Sequence, residues 1–248
     1  MMDNIFANRL KDLSEKSNKN SKFTFTEFLS LDEQSTLKSI ERELCAFTLF
    51  GGASNCERVM VRFGNPDEFG YEEDFPISIL KLQPKLKKFA DELTHRDFLG
   101  ALMNLGIERK LLGDIIVKDN IAYIFVMEKI ADYICENLTR VKRTVITAQI
   151  VSDIPEGQLF KTESISIPVS SLRLDCLIAG VYNLSRRQTV EIFSLQKVFV
   201  NGRLIENISH TPKENDIISV RGLGRFVFIS TCGMSKKGRL YVNLEKYA

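Results

Sequence analysis

Ser185-Arg186-Arg187-Gln188-Thr189-Val190-Glu191-Ile192-Phe193, followed shortly by Val198-Phe199-Val200-Asn201-Gly202-Arg203, decides how the second half of this chain folds. Ser185 and Gln188 have the spacing of a capping box, in which each residue's side chain satisfies the other's backbone N–H. Thr189, Ile192 and Phe193 then supply one buried stripe, so a helix starts at Ser185. Val198 and Val200 begin a strand, and Asn201-Gly202 is a strong two-residue hairpin signal. Upstream, Leu174, Leu177, Ile178 and Val181 fall at i, i+3, i+4 and i+7, which predicts a first helix stopping near Gly180 and Asn183. Downstream, Lys213–Asp216 reads as a turn, with strands expected over Ile217–Arg221 and Phe226–Ile229. From about Pro168 onward the expectation is therefore a small α/β module.

Its charge is unusual. Met1–Thr139 carries 18 Lys+Arg against 23 Asp+Glu, whereas Arg140–Ala248 carries 16 against 9, so the overall net of +2 conceals a basic end. A basic half suits a polyanion. Arg186 and Arg187 sit at the positive end of their helix dipole, where acids would be favoured by roughly 0.3–1 kcal/mol. Two cations there cost local stability but combine with free helix N–H groups into a phosphate site. Arg173, Lys197, Arg203, Arg221 and Arg225 lie on or beside the same motif. With Ser185, Arg186, Arg187, Gln188 and Asn201 they are the candidate RNA-binding residues.

The middle of the chain, Pro76 to about Val151, reads as strand, helix, strand, strand, helix, strand. Ile77–Leu82 opens it, and a helix runs from a Thr94/Asp97 capping pair to Gly106. Ile115–Val117 and Ala122–Met127 flank the turn Lys118–Asn120, Lys129–Leu138 is the second helix, and Thr144–Ile150 closes the set. This is the order of a ferredoxin-like, RRM-like domain. If Ala122, Ile124 and Val126 face its helices, Tyr123, Phe125 and Met127 face the other side, where RRM proteins stack bases. Tyr123 and Phe125, with His95, Arg96, Lys142 and Arg143, are candidates for a second RNA contact. The competing expectation is that the N-terminal segment covers these aromatics.

The N-terminal segment reads as a helix carrying Ile5, Leu10 and Leu13, broken by the polar stretch Ser14–Lys22. A longer helix is expected over Asp32–Phe47, from Leu37, Ile40, Leu44 and Phe47, ending at Gly51-Gly52. A strand follows at Arg58–Phe63, and the acidic Asp67–Asp74 reads as a solvated linker at a domain boundary. The expected architecture is α+β with three small domains: a helical N-terminal domain (1–75), an RRM-like domain (76–165) and an RNA-binding domain (166–248).

Composition excludes several classes. No apolar run approaches the roughly 18 residues of a membrane helix, and the polar first twenty residues do not read as a secretory signal. Five scattered cysteines without a CxxC pair read as reduced cytosolic thiols, and two histidines leave little for a metal centre. No cofactor is expected. Gly222-Leu223-Gly224 lies between strands and reads as a hairpin or bulge rather than a nucleotide loop.

The residues Arg173-Leu174-Asp175, Ser185-Arg186, Val198-Phe199-Val200-Asn201-Gly202 and Asp216-Ile217-Ile218-Ser219-Val220-Arg221 resemble the S-four domain. That resemblance implies two helices on a small sheet, binding RNA through helix N-termini and adjoining basic residues. Gln196 departs from it, standing where the family usually has glycine. The stretch Thr94 to Arg109, with Gly113-Asp114-Ile115 and Arg221-Gly222-Leu223-Gly224-Arg225-Phe226, resembles the YlmH family along essentially the whole chain. It implies a non-enzymatic, cytoplasmic factor of ribosome-associated quality control. Its implied partners are ribosomal RNA and tRNA on stalled large ribosomal subunits, with no membrane and no small-molecule substrate. Two alternatives stand beside it: an S-four-domain enzyme modifying ribosomal RNA, and a cell-division adaptor.

Overall fold

The computed structural model describes residues 2–54, 56–154, 162–234 and 238–247, which form two compact units, Met1–Phe160 and Lys161–Ala248. Both are mixed α and β, with every strand pair antiparallel among the described residues.

The first unit opens with α1 (Met2–Asn20), β1 (Thr24–Phe25), α2 (Leu31–Ser39), β2 (Phe47–Phe50), β3 (Met60–Phe63) and α3 (Pro66–Phe69). Its three strands run in the order β1-β3-β2. The polar stretch expected to break the first helix does not. Ser14 and Ser17 continue the face of Leu10 and are themselves buried. Ser17 Oγ donates to the Phe63 carbonyl at 2.9 Å, and Ser14 Oγ accepts from the Cys45 N–H at 2.8 Å. A buried serine with a backbone partner costs little, so the helix runs on. The helix expected over 32–47 is also corrected. It ends at Ser39 in a 3-10 turn, and Phe47 starts β2 against β3. The acidic stretch beyond α3 is docked rather than free. The buried Arg62 guanidinium lies 5.0 Å from the Phe23 ring centre and 5.2 Å from that of Phe75, and it donates to the Glu73 carbonyl and the Glu72 carboxylate.

The chain continues through β4 (Ile77–Pro84), α4 (His95–Asn104), β5 (Leu112–Lys118), β6 (Ile121–Met127), α5 (Ala131–Asn137), β7 (Arg140–Val141) and β8 (Thr144–Val151). The sheet order β5-β6-β4-β8-β7 is that of the βαββαβ pattern with one short added edge strand. Leu80, Leu82, Ile124 and Val126 pack with Phe98, Leu102 and Ile134 beneath the two helices. On the opposite face Tyr123 and Phe125 meet Phe28 and Met60 of the N-terminal segment. The glycine pair expected to stop a helix lies in the β2–β3 loop. Gly52 has φ +101°, and a Cβ there would collide with the Phe125 ring.

The second unit contains β9 (Thr162–Val169), α6 (Leu174–Tyr182), α7 (Arg186–Ser194), β10 (Val198–Val200), β11 (Arg203–Leu204), β12 (Ile217–Val220), β13 (Gly224–Met234) and β14 (Leu240–Tyr247). Its six strands run β11-β10-β12-β13-β14-β9. Leu174, Leu177, Ile178 and Phe193 close over Val198, Val200, Ile218, Phe226 and Val242. Asn201 (φ +48°) and Gly202 (φ +78°) form the hairpin turn with both residues left-handed, as that turn requires. Strands β9 and β14 extend the sheet beyond what the motif implied.

Candidate nucleic-acid interface

The start of α7 is built by the capping box. Ser185 Oγ accepts from the Gln188 N–H at 3.3 Å, and Gln188 Oε1 accepts from the Ser185 N–H at 2.9 Å and its hydroxyl at 2.8 Å. Arg186 and Arg187 therefore occupy the first two helical positions, both exposed, with no acidic residue in the first turn. The neighbouring helix differs. The N–H groups of Leu174 and Asp175 at the start of α6 donate to the carbonyls of His210 and Ile208, at 2.9 and 3.3 Å. That helix end is filled by the chain itself. The end of α7 is a Schellman turn in which Gln196 N–H donates to Phe193 and Lys197 N–H to Ile192. It holds Gln196 at φ +53°, the left-handed position where glycine costs least.

A cleft of about 310 Å³ runs between α6 and α7, walled by Ser170, Arg173, Asp175, Cys176, Arg186 and Thr189. Arg173 and Arg186 are thus brought together. Arg173 is held by a two-pronged pair with Asp175, at 3.0 and 2.7 Å, and that hydrogen bonding, with the carboxylate's charge, raises its pKa further. The other cations divide. Val198, Val200, Ile218 and Val220 are buried against the helices, so the register Phe199–Ser219–Arg225 lies on the opposite side of the sheet. There the Arg225 guanidinium lies 4.0 Å from the Tyr247 ring centre and the Arg221 guanidinium 4.3 Å from that of Phe199. Arg203 is exposed on edge strand β11, and Lys197 is half-buried where α7 passes into β10. Asn201 is a correction. Its Nδ2 donates to Asp216 at 2.8 Å and its Oδ1 accepts from the Ile217 N–H at 3.0 Å, so its amide closes the hairpin instead of facing a ligand. Sequence reasoning missed Phe199 and Tyr247 as aromatic partners. The alternation of Val242 and Leu244 within Leu240–Tyr247 was the available signal for the second.

In the first unit, Tyr123 and Phe125 are 3% and 0% exposed, so the expectation that they stack bases is overturned. Phe28, Met60 and the Gly52 loop cover them, and an aromatic packed on both faces offers no surface to a base. The other second-contact candidates, His95, Arg96, Lys142 and Arg143, are exposed. His95 and Arg96 open α4; desolvation first, then Arg109 and Arg96, lower the His95 pKa. Arg96 and Lys142 wall a polar cleft of about 540 Å³ with Asn104, Asn137 and Arg140. Lys142 pairs with Asp97 at 2.8 Å; hydrogen bonds from Lys142 and then Thr94 take the Asp97 carboxyl down to about 2. Arg143, although adjacent, belongs to a different cleft with Lys85, Leu86, Phe89, Thr144 and Val145. Among the described residues no group of three His, Cys, Asp or Glu side chains could hold a metal ion, and no helix is long and apolar enough to cross a membrane.

Comparison with known proteins finds three similarities. Residues 71–153 match the family described as "Putative RNA-binding domain in YlmH". The chain is 28% identical over 233 residues to the ribosome-associated protein quality control protein P2 of Bacillus subtilis (strain 168), covering 89% of this chain and 86% of the relative. The structure of the cell division protein ylmH from Streptococcus pneumoniae aligns with a TM-score of 0.49 at 23% identity, over 61% of this chain and 92% of that one. By sequence the chain is thus similar to YlmH-type proteins, over residues 71–153 to the family's RNA-binding domain and over most of its length to the Bacillus subtilis protein.

Proposed function

We propose that this chain is a non-catalytic RNA-binding factor of ribosome-associated quality control, acting in the cytoplasm on stalled large ribosomal subunits through ribosomal RNA and tRNA. The observation that carries this reading is the start of α7, where a full capping box presents two exposed arginines against the helix dipole. An arrangement that lowers the protein's own stability is understandable where an anion completes it. Two similarities support it: the relative named for ribosome-associated quality control, which aligns over most of its length, and the RNA-binding domain description that matches residues 71–153.

In this reading the chain works as three segments, 1–75, 76–165 and 166–248, the last being an S-four-type module. Arg186 and Arg187 take RNA phosphates, with Arg173 across the cleft; Lys197, Arg203, Arg221 and Arg225 extend the basic surface. His95, Arg96, Lys142 and Arg143 supply a second contact on the central domain. The action is positional: one placement of tRNA or subunit RNA is stabilised, and no bond is made or broken.

The test is co-sedimentation of the full chain with purified large subunits carrying peptidyl-tRNA. Arg186→Ala/Arg187→Ala removes the protein from the subunit fraction while its circular dichroism is unchanged. Undiminished co-sedimentation overturns the assignment of the anchor.

A further inference from the structure

The segment Lys85-Leu86-Lys87-Lys88-Phe89 leaves the end of β4 beside the start of β8. Phe89 is 77% exposed and Leu86 66% exposed, the largest apolar exposure in this part of the fold. A solvent-facing phenylalanine is unfavourable on its own, and its surroundings point to what covers it. Lys88 Nζ lies 5.9 Å from the Phe89 ring centre. A cleft of about 430 Å³ joins Phe89 and Leu86 to Lys85, Arg143 and Val145. Lys85 N–H donates to the Val145 carbonyl at 2.9 Å, fixing the two strands that carry these walls.

The charge is one-sided. No Asp or Glu occurs from Phe75 to Ala90, while Lys81, Lys85, Lys87 and Lys88 do. The nearest carboxylate in sequence, Asp91, accepts from the Arg143 N–H at 3.2 Å and the Thr144 hydroxyl at 3.3 Å. It is committed to holding the turn, with Arg143 exposed at its tip. An exposed aromatic face ringed by lysine and arginine is the arrangement that stacks a nucleobase while contacting its flanking phosphates. A hydrophobic protein partner would leave four desolvated cations without counter-charges.

We propose that Phe89, with Leu86 and Val145 beside it, is a stacking platform for an unpaired RNA nucleobase, and that Lys85, Lys87, Lys88 and Arg143 bind the adjoining phosphates. The platform lies past the end of β4, apart from the buried Tyr123 and Phe125. It rests on reading residues 71–153 as an RNA-binding domain, and it specifies single-stranded or looped RNA as the ligand there.

The chain has no tryptophan, so Phe89→Trp installs a single indole fluorophore at an exposed position. The probes are a uridine 12-mer, a 12-base-pair RNA duplex and inorganic polyphosphate, each titrated into the full chain. The expected result is that the uridine 12-mer quenches the indole fluorescence of the Phe89→Trp variant and polyphosphate does not. Phe89→Ala weakens 12-mer binding roughly tenfold, within the range for loss of one base–aromatic stack, and leaves duplex binding unchanged. Arg186→Ala/Arg187→Ala gives the reverse pattern, so failure of the α7 anchor and failure of this platform are separately visible. Equal quenching by polyphosphate, or unchanged 12-mer affinity in Phe89→Ala, overturns the proposal; so does a wild-type chain that does not bind the 12-mer.

Discussion

Two antiparallel sheets in this molecule each carry a pair of helices on one face, and they treat the other face differently. On the central sheet that face is closed. Phe125 is fully buried and Tyr123 nearly so, beneath Phe28, Met60 and the Gly52 loop. On the C-terminal sheet the corresponding side holds Phe199 and Tyr247 only half-buried, each beneath an arginine. An aromatic residue at a sheet face therefore becomes core or surface according to what the rest of the chain brings over it. Strand alternation alone does not separate the two cases.

The largest expected effect tests the closed face. Phe125→Ala should destabilise the first unit by about 3–5 kcal/mol, the usual cost of truncating a fully buried phenylalanine. Urea denaturation of the full chain measures it. A variant that keeps its stability but loses RNA affinity would break the comparison, because Phe125 would then be a ligand contact. Gly52→Ala comes next. Its backbone at φ +101° disfavours a side chain, and the new methyl meets Phe125, for a loss of about 1–3 kcal/mol in the same assay.

The open, basic module should respond in the opposite sense. Arg186→Ala/Arg187→Ala removes two cations from the positive end of a dipole, so stability should rise by up to about 1 kcal/mol while duplex RNA affinity falls. If both arginines contact phosphate, the slope of log affinity against log salt becomes shallower by about 1.8. Gln196→Gly relieves a left-handed side chain at the Schellman turn and should add up to about 1 kcal/mol of thermal stability without changing RNA affinity. The smallest effect concerns Asp97. Its carboxyl is held at about 2 by Lys142 and Thr94, below its ordinary 3.8. Its contribution is therefore present above pH 4 and lost as pH falls from about 4 to 2. Asp97→Asn should flatten the stability profile in that window and leave it unaltered between pH 5 and 7.

The C-terminal helices and hairpin were readable because their signals are local. Ser185 and Gln188 are three residues apart, and Asn201-Gly202 is a turn by backbone preference alone. The βαββαβ order was readable for the same reason, with Asn120 and Gly106 punctuating it. The face of α1 was not, because Ser14 and Ser17 are buried only through partners far along the chain, at Cys45 and Phe63. The helix expected to reach Phe47 failed because Leu37, Ile40, Leu44 and Phe47 keep helical spacing across a real break at Ser39. At the site, the identities of the cations were legible, but their division between the α6–α7 cleft and the far side of the sheet was not. That division follows from strand register. Likewise Asn201 reads as a polar contact in the sequence, and only its two amide bonds show that it closes its own turn.

Arg58 joins distant parts of the first unit. Its guanidinium donates to the carbonyls of Phe28 and Leu112 at 2.7 and 2.9 Å, and its own N–H meets Asp114. Burial lowers its pKa and raises that of Asp114 to about 6, with Arg109 close by. A fragment cut at residue 71 to match the family boundary would discard Arg58 and Phe28 together. Asp114 would lose the backbone N–H donors of Glu57 and Arg58 while Tyr123 and Phe125 became wet. The central sheet is thus a poor candidate for transplantation on its own, because the segment that roofs it buries Tyr123 and Phe125.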